Sequence, residues 1–158
     1  MVKKLSGSIP RRRMERRFVA AVGVWFYSVE TDRYLYLLRN DKKYPGAWGL
    51  PGGKVDGSET LLQALKRECI EELSIWPEPV KLAPIEQFTS ADNNFTYHTF
   101  LSLIQKEFSP TLNHEHFGYA WLDSGHMPKP LHPGLWSTSK IETIKQKVDI
   151  LKDFYKSQ

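Results

Sequence analysis

The run from Phe18 to Val29, FVAAVGVWFYSV, is apolar nearly throughout, and a second run, YLYLLR from Tyr34 to Arg39, follows after the turn-like Glu30-Thr31-Asp32-Arg33. Such runs bounded by turn residues predict two paired strands, the first buried on both faces. Residues 40 to 58 are dense in Gly, Pro, Asp, Asn and Ser, which predicts loop with a short strand around Trp48 to Leu50. From Glu59 to Leu73 the period changes. Leu62, Leu65, Cys69 and Leu73 recur at three- and four-residue steps, the apolar stripe of a helix packed on a sheet. Strands are then expected at Val80 to Phe88, Tyr97 to Ile104 and Tyr119 to Leu122, followed by a loop punctuated by Pro128, Pro130 and Pro133. Ser139-Lys-Ile-Glu142 has capping-box spacing and opens a last helix carrying Ile141, Ile144, Val148, Leu151 and Tyr155 on one stripe. Strands flanked by a mid-chain and a terminal helix predict the α/β class, as an α/β/α sandwich or α+β domain.

The chain has 158 residues, of which 41% are hydrophobic and 13% aromatic, enough for one buried core and too apolar for intrinsic disorder. No run approaches the roughly 20 apolar residues of a membrane span, and no apolar signal-peptide region opens the sequence. A soluble cytoplasmic protein with no membrane contact is the expectation. Cys69 is the one cysteine, which excludes an intrachain disulfide and a cysteine-built zinc site. The net charge of +4 is uneven: residues 1 to 17 hold Lys3, Lys4, Arg11, Arg12, Arg13, Arg16 and Arg17 against Glu15 alone, leaving the remainder slightly acidic. The reading is a basic arm, residues 1–17, on a domain spanning 18–158. Nucleic-acid contact through that arm is weighed against a solvated tail, the commoner role of a short arginine-rich terminus.

Glu68, Glu71 and Glu72 share one arc of the predicted helix beside the apolar stripe. Like charges three and four residues apart cost a helix a few tenths of a kcal/mol per pair unless solvent, an arginine or a cation offsets them. A solvated acidic face and a site for a hard divalent cation both fit this spacing.

The surroundings carry more. Gly53, Glu59, Arg67, Glu68, Glu71 and Glu72, with Cys69 and Ile75 at apolar positions, stand at the spacing of the Nudix box, and the segment resembles that motif. Ser74 departs from it, standing where the pattern has a glycine suited to a helix C-cap. Trp48-Gly-Leu-Pro-Gly-Gly resembles the usual lead-in of the Nudix family, and the likeness spans roughly residues 18 to 155. The resemblance implies a mixed sheet between helices and metal-dependent hydrolysis of a diphosphate bond in a nucleoside diphosphate linked to another moiety. The implied substrates are a nucleotide sugar, a dinucleotide or a modified nucleoside triphosphate. Mg²⁺ or Mn²⁺ is the implied cofactor, with Glu68, Glu71 and Glu72 as ligands, a carbonyl at Gly52 or Gly53 as a further one, and Glu59 and Arg67 orienting the carboxylates.

His114-Glu115-His116 with Trp121 resembles a loop segment of the same family, which makes Glu115 a candidate further ligand or general base against the plain reading of an exposed loop acid. A zinc site at these residues lacks a third spaced histidine or a nearby cysteine. For the substrate the candidates are Arg39, Lys43, Tyr44, Trp48, Phe95, Tyr97 and His98, weighed against aromatics in strands as core. Two other functions stand beside the leading one: an RNA 5′-pyrophosphohydrolase, which gives the arm a purpose, and a non-catalytic Nudix-fold nucleotide-binding module, whose signature of a broken glutamate set is absent here. A small nucleotide is the expected partner, and a homodimer is the expected assembly where the chain self-associates.

Overall fold

The computed structural model describes residues 18–158; the basic arm lies outside the described residues. The elements are β1 (Val19–Ser28), β2 (Arg33–Arg39), β3 (Trp48–Gly49), β4 (Gly52–Lys54), α1 (Leu61–Leu73), β5 (Lys81–Thr89), β6 (Phe95–Ile104), β7 (His116–Leu122), α2 (Pro133–Lys140) and α3 (Glu142–Lys156). β1 runs parallel to β6 along its whole length, from Val19↔Phe95 to Ser28↔Ile104. Its other edge is shared by two strands: β2 pairs antiparallel at Tyr27↔Tyr34 and Ser28↔Arg33, and β4 pairs antiparallel at Ala21, Val22 and Gly23. β2 turns away from β1 and pairs with β7 and β3, while β5 covers the far edge of β6. The result is a mixed seven-stranded sheet. A central strand paired on both edges and covered on both faces must be apolar almost throughout, which is why β1 reads as it does.

Alternation along the strands sends two sets of side chains to two helical layers. Val22, Val24, Phe26, Leu35 and Leu37 meet Ala64, Leu65, Cys69 and Leu73 of α1. Trp25, Tyr27, Tyr34, Tyr36, Leu101 and Leu103 meet Leu135 of α2 and Ile144 and Val148 of α3. The expected α/β/α sandwich is present. α3 is tied to the β1–β2 hairpin by the buried Lys152, whose Nζ lies 4.9 Å from the Tyr27 ring centroid, 5.1 Å from that of Tyr34 and 3.5 Å from Asp32 Oδ1. Among the described residues no helix is long and apolar enough to cross a membrane.

The structure corrects several expectations. β4 lies inside the segment read as loop; Gly52 and Gly53 carry no side chains to alternate, so pattern is blind to it. β7 begins at His116 rather than Tyr119, because pairing with β2 continues past a bulge at Leu38 and Arg39. α2 occupies part of the expected proline loop: Pro133 sits in its first turn, where a missing N–H costs nothing, and His132 caps it by accepting from the Gly134 N–H at 3.0 Å. Ser139 therefore lies inside α2, its Oγ donating to Trp136 O at 2.7 Å, and α3 starts after Ile141 with no side-chain cap.

α1 opens with a capping box that the sequence reading passed over. The Thr60 side chain accepts from the Gln63 N–H at 3.1 Å, and Gln63 Oε1 accepts from the Thr60 N–H at 2.9 Å. Its stripe is also rotated. Leu65, Cys69 and Leu73 are buried as expected, but Leu62 is 41% exposed, and Glu68 and Glu72 complete the buried face in its place. Ser74 closes the helix in the left-handed region at φ 64, its N–H donating to Ile70 O and its Oγ to Thr111 O, each bond offsetting the conformational cost that glycine would avoid.

Gly52 is where β4 touches β1, with φ 153 and space for no side chain: a Cβ there would lie 2.0 Å from Val22 O and 2.7 Å from Gly23 Cα. Backbone cannot yield as a side-chain tip can. Gly52→Ala is therefore expected to lower stability by about 3 kcal/mol or more, read as a drop in the urea midpoint at unchanged m-value; a wild-type midpoint contradicts this contact.

Candidate active site

α1 leans Glu68 and Glu72 against the loop and strand that carry Gly52 and Gly53. Gly53 has a specific reason to be glycine: a Cβ would stand 2.5 Å from both Cδ and Oε1 of Glu68, so the carboxylate lies flat on bare backbone. The neighbouring Gly52 N–H donates to Glu72 Oε2 at 2.8 Å. From the entrance of β7 comes Glu115. One carboxylate oxygen each of Glu68, Glu72 and Glu115 lies within 4.8 Å of the other two, with Glu68 and Glu72 buried and Glu115 exposed.

The Glu68 and Glu72 carboxyls are buried, where water screens charge poorly. Burial pushes the Glu72 carboxyl up to about 9, and the charges of Glu115 and Glu68 push in the same sense while the Gly52 N–H opposes them. Burial also raises Glu68, against the pull of Arg67. A site whose acids resist ionisation this strongly is short of positive charge, and a cation among the oxygens removes the deficit. An all-oxygen donor set suits a hard divalent ion.

Arg67 fixes the frame. Its Nε and Nη2 donate to the two Glu59 oxygens at 2.8 and 2.9 Å, Nη1 donates to Glu68 Oε1 at 3.0 Å, and Nη2 donates to Lys54 O at 2.9 Å. Glu59 precedes the cap Thr60 and also accepts from the Asp56 N–H at 2.8 Å, so its contacts are with Arg67 and the loop rather than with the helix terminus. The fork geometry of guanidinium and carboxylate makes this a rigid brace behind Glu68. Glu71 is different: its side chain is 53% exposed, 3.4 Å from Arg67 Nη1 and outside the three-carboxylate group.

Glu115 is positioned by a residue the sequence reading missed. Asn40 donates through its N–H to Glu115 O and through Nδ2 to His114 O, both at 2.9 Å, clamping the loop before β7 onto the end of β2. Nothing in the sequence links two positions so far apart. His116 is partly buried, with its Nδ1 inside, and burial holds its imidazole down at about 4. Among the described residues no histidine joins the carboxylates, so the zinc reading is not assembled.

The substrate candidates separate. Arg39, at the end of β2, pairs with Asp41 and lies 5.8 Å from the Tyr44 ring centroid; Tyr44 in turn stands edge-on to His132 at 4.7 Å. Tyr97 reaches across β1, and a Cβ at Gly23 would meet its hydroxyl at 2.0 Å. Burial pushes the Tyr97 phenol up to about 12; the Glu72 charge adds to this and Arg39 opposes it. His98, the next residue of β6, faces the other side of the sheet by strand alternation. Trp48 is a clamp: its N–H donates to Pro130 O, its carbonyl accepts from the His132 N–H, and its side chain packs on the second core.

The fold and this carboxylate site define a class, and comparison with known proteins agrees: the NUDIX domain family matches residues 17–140. The chain belongs to the Nudix family, and its architecture is that of a Nudix hydrolase. The MutT NUDIX hydrolase of Burkholderia pseudomallei is 26% identical with a TM-score of 0.58, over 80% of this chain and 97% of that one. The NUDIX domain of Shewanella oneidensis NrtR, solved with ADP ribose, shares the fold with a TM-score of 0.68 at 16% identity, over 86% of this chain and 92% of that one. The 8-oxo-dGDP phosphatase NUDT18 of Mus musculus is 32% identical over 72 residues, which cover 46% of this chain and only 22% of that relative's length.

The Gly53 contact gives a test of the site that is separable from the fold. The atoms a Gly53→Ala methyl meets are the tip of a flexible side chain, so Glu68 moves and the backbone does not. The thermal midpoint is expected to stay within about 4 °C, under ~1 kcal/mol, while kcat falls about tenfold or more because the carboxylate is displaced. Unchanged kcat in a folded variant removes Glu68 from the site.

Proposed function

We propose that this chain hydrolyses the diphosphate bond of a nucleoside diphosphate linked to another moiety, using Mg²⁺ or Mn²⁺ held by Glu68, Glu72 and Glu115. The observation that carries the reading is the convergence of these three carboxylates, two of them buried, with oxygens within 4.8 Å and, among the described residues, Arg67 at one edge as the side-chain cation paired with them. Bound there, a divalent ion supplies neutralisation of phosphate oxygens and activation of water. The chain's own residues do the rest. Arg67 and Glu59 hold Glu68 in one orientation, the Gly52 N–H holds Glu72, and the exposed position of Glu115 suits it to take a proton from the attacking water or to serve as a ligand. Glu71 completes the set from the solvent side, and a carbonyl at Gly52 or Gly53 is the further ligand proposed. Arg39 and Tyr97 are the residues proposed to hold the nucleotide, with Trp48 supporting the wall; His98, in register with Val22 of the α1-facing set, is a further candidate from the carboxylate side of the sheet.

The names of the relatives support the substrate class. NUDT18 is named for 8-oxo-dGDP and the NrtR domain was solved with ADP ribose, and both compounds are built on a nucleoside diphosphate. The purified chain is to be tested against 8-oxo-dGDP, ADP-ribose, nucleotide sugars, dinucleoside polyphosphates, modified nucleoside triphosphates and triphosphorylated RNA, with products identified. Turnover is expected to require the divalent ion, and Glu72→Gln to cost about 10²- to 10³-fold in kcat while the fold persists. Glu115→Gln is expected to lower kcat far more than it raises KM. Turnover in excess chelator refutes the metal assignment.

The arm, residues 1–17, is proposed to stand outside this machinery. Its removal is expected to leave kcat on the best small substrate within about threefold, under ~1 kcal/mol of transition-state free energy. If RNA is the substrate, the same truncation weakens RNA cleavage and flattens its salt dependence, through lost phosphate contacts.

A further inference from the structure

The aromatic residues on one face of β7 grow more exposed toward Glu115. Trp121 is in register with Leu35 and Tyr119 with Leu37, and both leucines pack under α1, so Trp121 and Tyr119 face the side of the sheet on which Glu68 and Glu72 lie; Phe117, two residues nearer Glu115, follows by alternation. Trp121 is 8% exposed, Tyr119 39% and Phe117 65%. The segment after β6 explains the gradient. It crosses Trp121, whose Nε1 donates to Phe108 O at 3.0 Å while the Phe108 ring stands edge-on to the indole at 5.5 Å. It is pinned to the end of α1 by the Thr111 N–H on Leu73 O and by Ser74 Oγ on Thr111 O, and it then runs on to Glu115, leaving Tyr119 and Phe117 uncovered. Phe117 is also the extra residue of the bulge at which pairing with β2 steps from Leu38↔Gly118 to Arg39↔His116. Bulges of this kind re-aim a side chain and gather beside active sites.

Aromatic side chains of a strand belong to the core where a layer covers them, and here the layer stops short of two. One exposed apolar side chain needs no explanation, but two on one strand face, rimmed by polar groups, mark a binding surface. The neighbours say what it binds. In extended chain, residues two apart stand about 6.7 Å from each other, so the rings continue directly from the carboxylate of Glu115. Arg39, opposite His116 on β2, brings a cation to the same corner. A nucleotide whose diphosphate meets the carboxylates carries its base one ribose away, and a base of any identity has a face that stacks on aromatic rings. We propose that Phe117 and Tyr119 form the platform on which the nucleobase of the substrate stacks while its diphosphate is turned to Glu68, Glu72 and Glu115. This rests on the diphosphate reading given above and adds the residues that hold the nucleoside.

The test is calorimetric binding of two probes to the full chain in excess Mg²⁺: the non-hydrolysable α,β-methylene-ADP, and methylenediphosphonate, which keeps the bridged phosphorus pair and lacks the nucleoside. The parent chain is expected to bind both, the nucleotide more tightly. Phe117→Ala and Tyr119→Ala are each expected to weaken α,β-methylene-ADP about five- to a hundredfold, the range of one lost base–aromatic stack, and to leave methylenediphosphonate within about twofold. Phe117→Tyr and Tyr119→Phe, which keep the rings, are expected to bind both probes as the parent chain does. Nucleotide binding unchanged in both alanine variants overturns the platform, and so does an equal loss of both probes, which marks a distorted carboxylate site instead. A parent dimer in sedimentation that the alanine variants dissolve means that a second copy covers the rings, and overturns the proposal too. Methylenediphosphonate that fails to bind the parent chain in Mg²⁺ refutes the diphosphate reading itself, and the platform falls with it.

Discussion

Burying two carboxylates side by side against bare backbone is the demand around which the catalytic half of this molecule is arranged. Glu68 and Glu72 lie on the sheet-facing side of α1, where burial leaves them little solvent, and burial together with the charges of Glu115 and Glu68 pushes Glu72 up to about 9. Such an arrangement persists only if the surroundings supply compensation. Part of it is visible: the Gly52 N–H on Glu72, and Arg67 on Glu68. The remainder is what the divalent ion proposed for this site would supply, the electrostatic cost of the folded site then being at the same time its affinity for a cation.

The brace behind the carboxylates shows how function and stability divide within one motif. Arg67 joins Glu59, Glu68 and the Lys54 carbonyl, tying helix, preceding loop and β4 into one unit. The glycines divide similarly. Gly52 admits the backbone of β1 and belongs to the fold, whereas its neighbour Gly53 admits the carboxylate of Glu68 and belongs to the site. Two adjacent residues of the same type thus fail in different ways when substituted, one through backbone that cannot move and the other through a side chain that can.

The sheet supplies the opening. Because β1 gives half of one edge to β2 and half to β4, the two strands diverge and leave a wedge in which Gly52, Gly53 and the carboxylates sit. β2 and β7, paired together beyond the wedge, bring Arg39 and Glu115 to its mouth, with Asn40 holding the second loop to the first. The Tyr97 hydroxyl lies over β1 because Gly23 has no side chain to stand in the way.

The sequence by itself determined the class of fold, the box and its six fixed residues, because apolar periodicity and fixed spacing are local properties of a chain. It also pointed to Glu115, through a segment that resembled the family's. The tertiary structure decided what local pattern cannot hold. It turned α1 so that Glu68 and Glu72, not Leu62, face the sheet, since the buried side of a helix is set by what packs against it. It left Glu71 at the solvent edge, put Tyr97 and His98 on opposite faces, and placed Trp48 in a clamp. It made α2 from a proline-rich stretch whose first turn tolerates proline, and it bound Asn40 to Glu115. These outcomes depend on atoms distant in sequence meeting in space, and periodicity carries no record of such meetings.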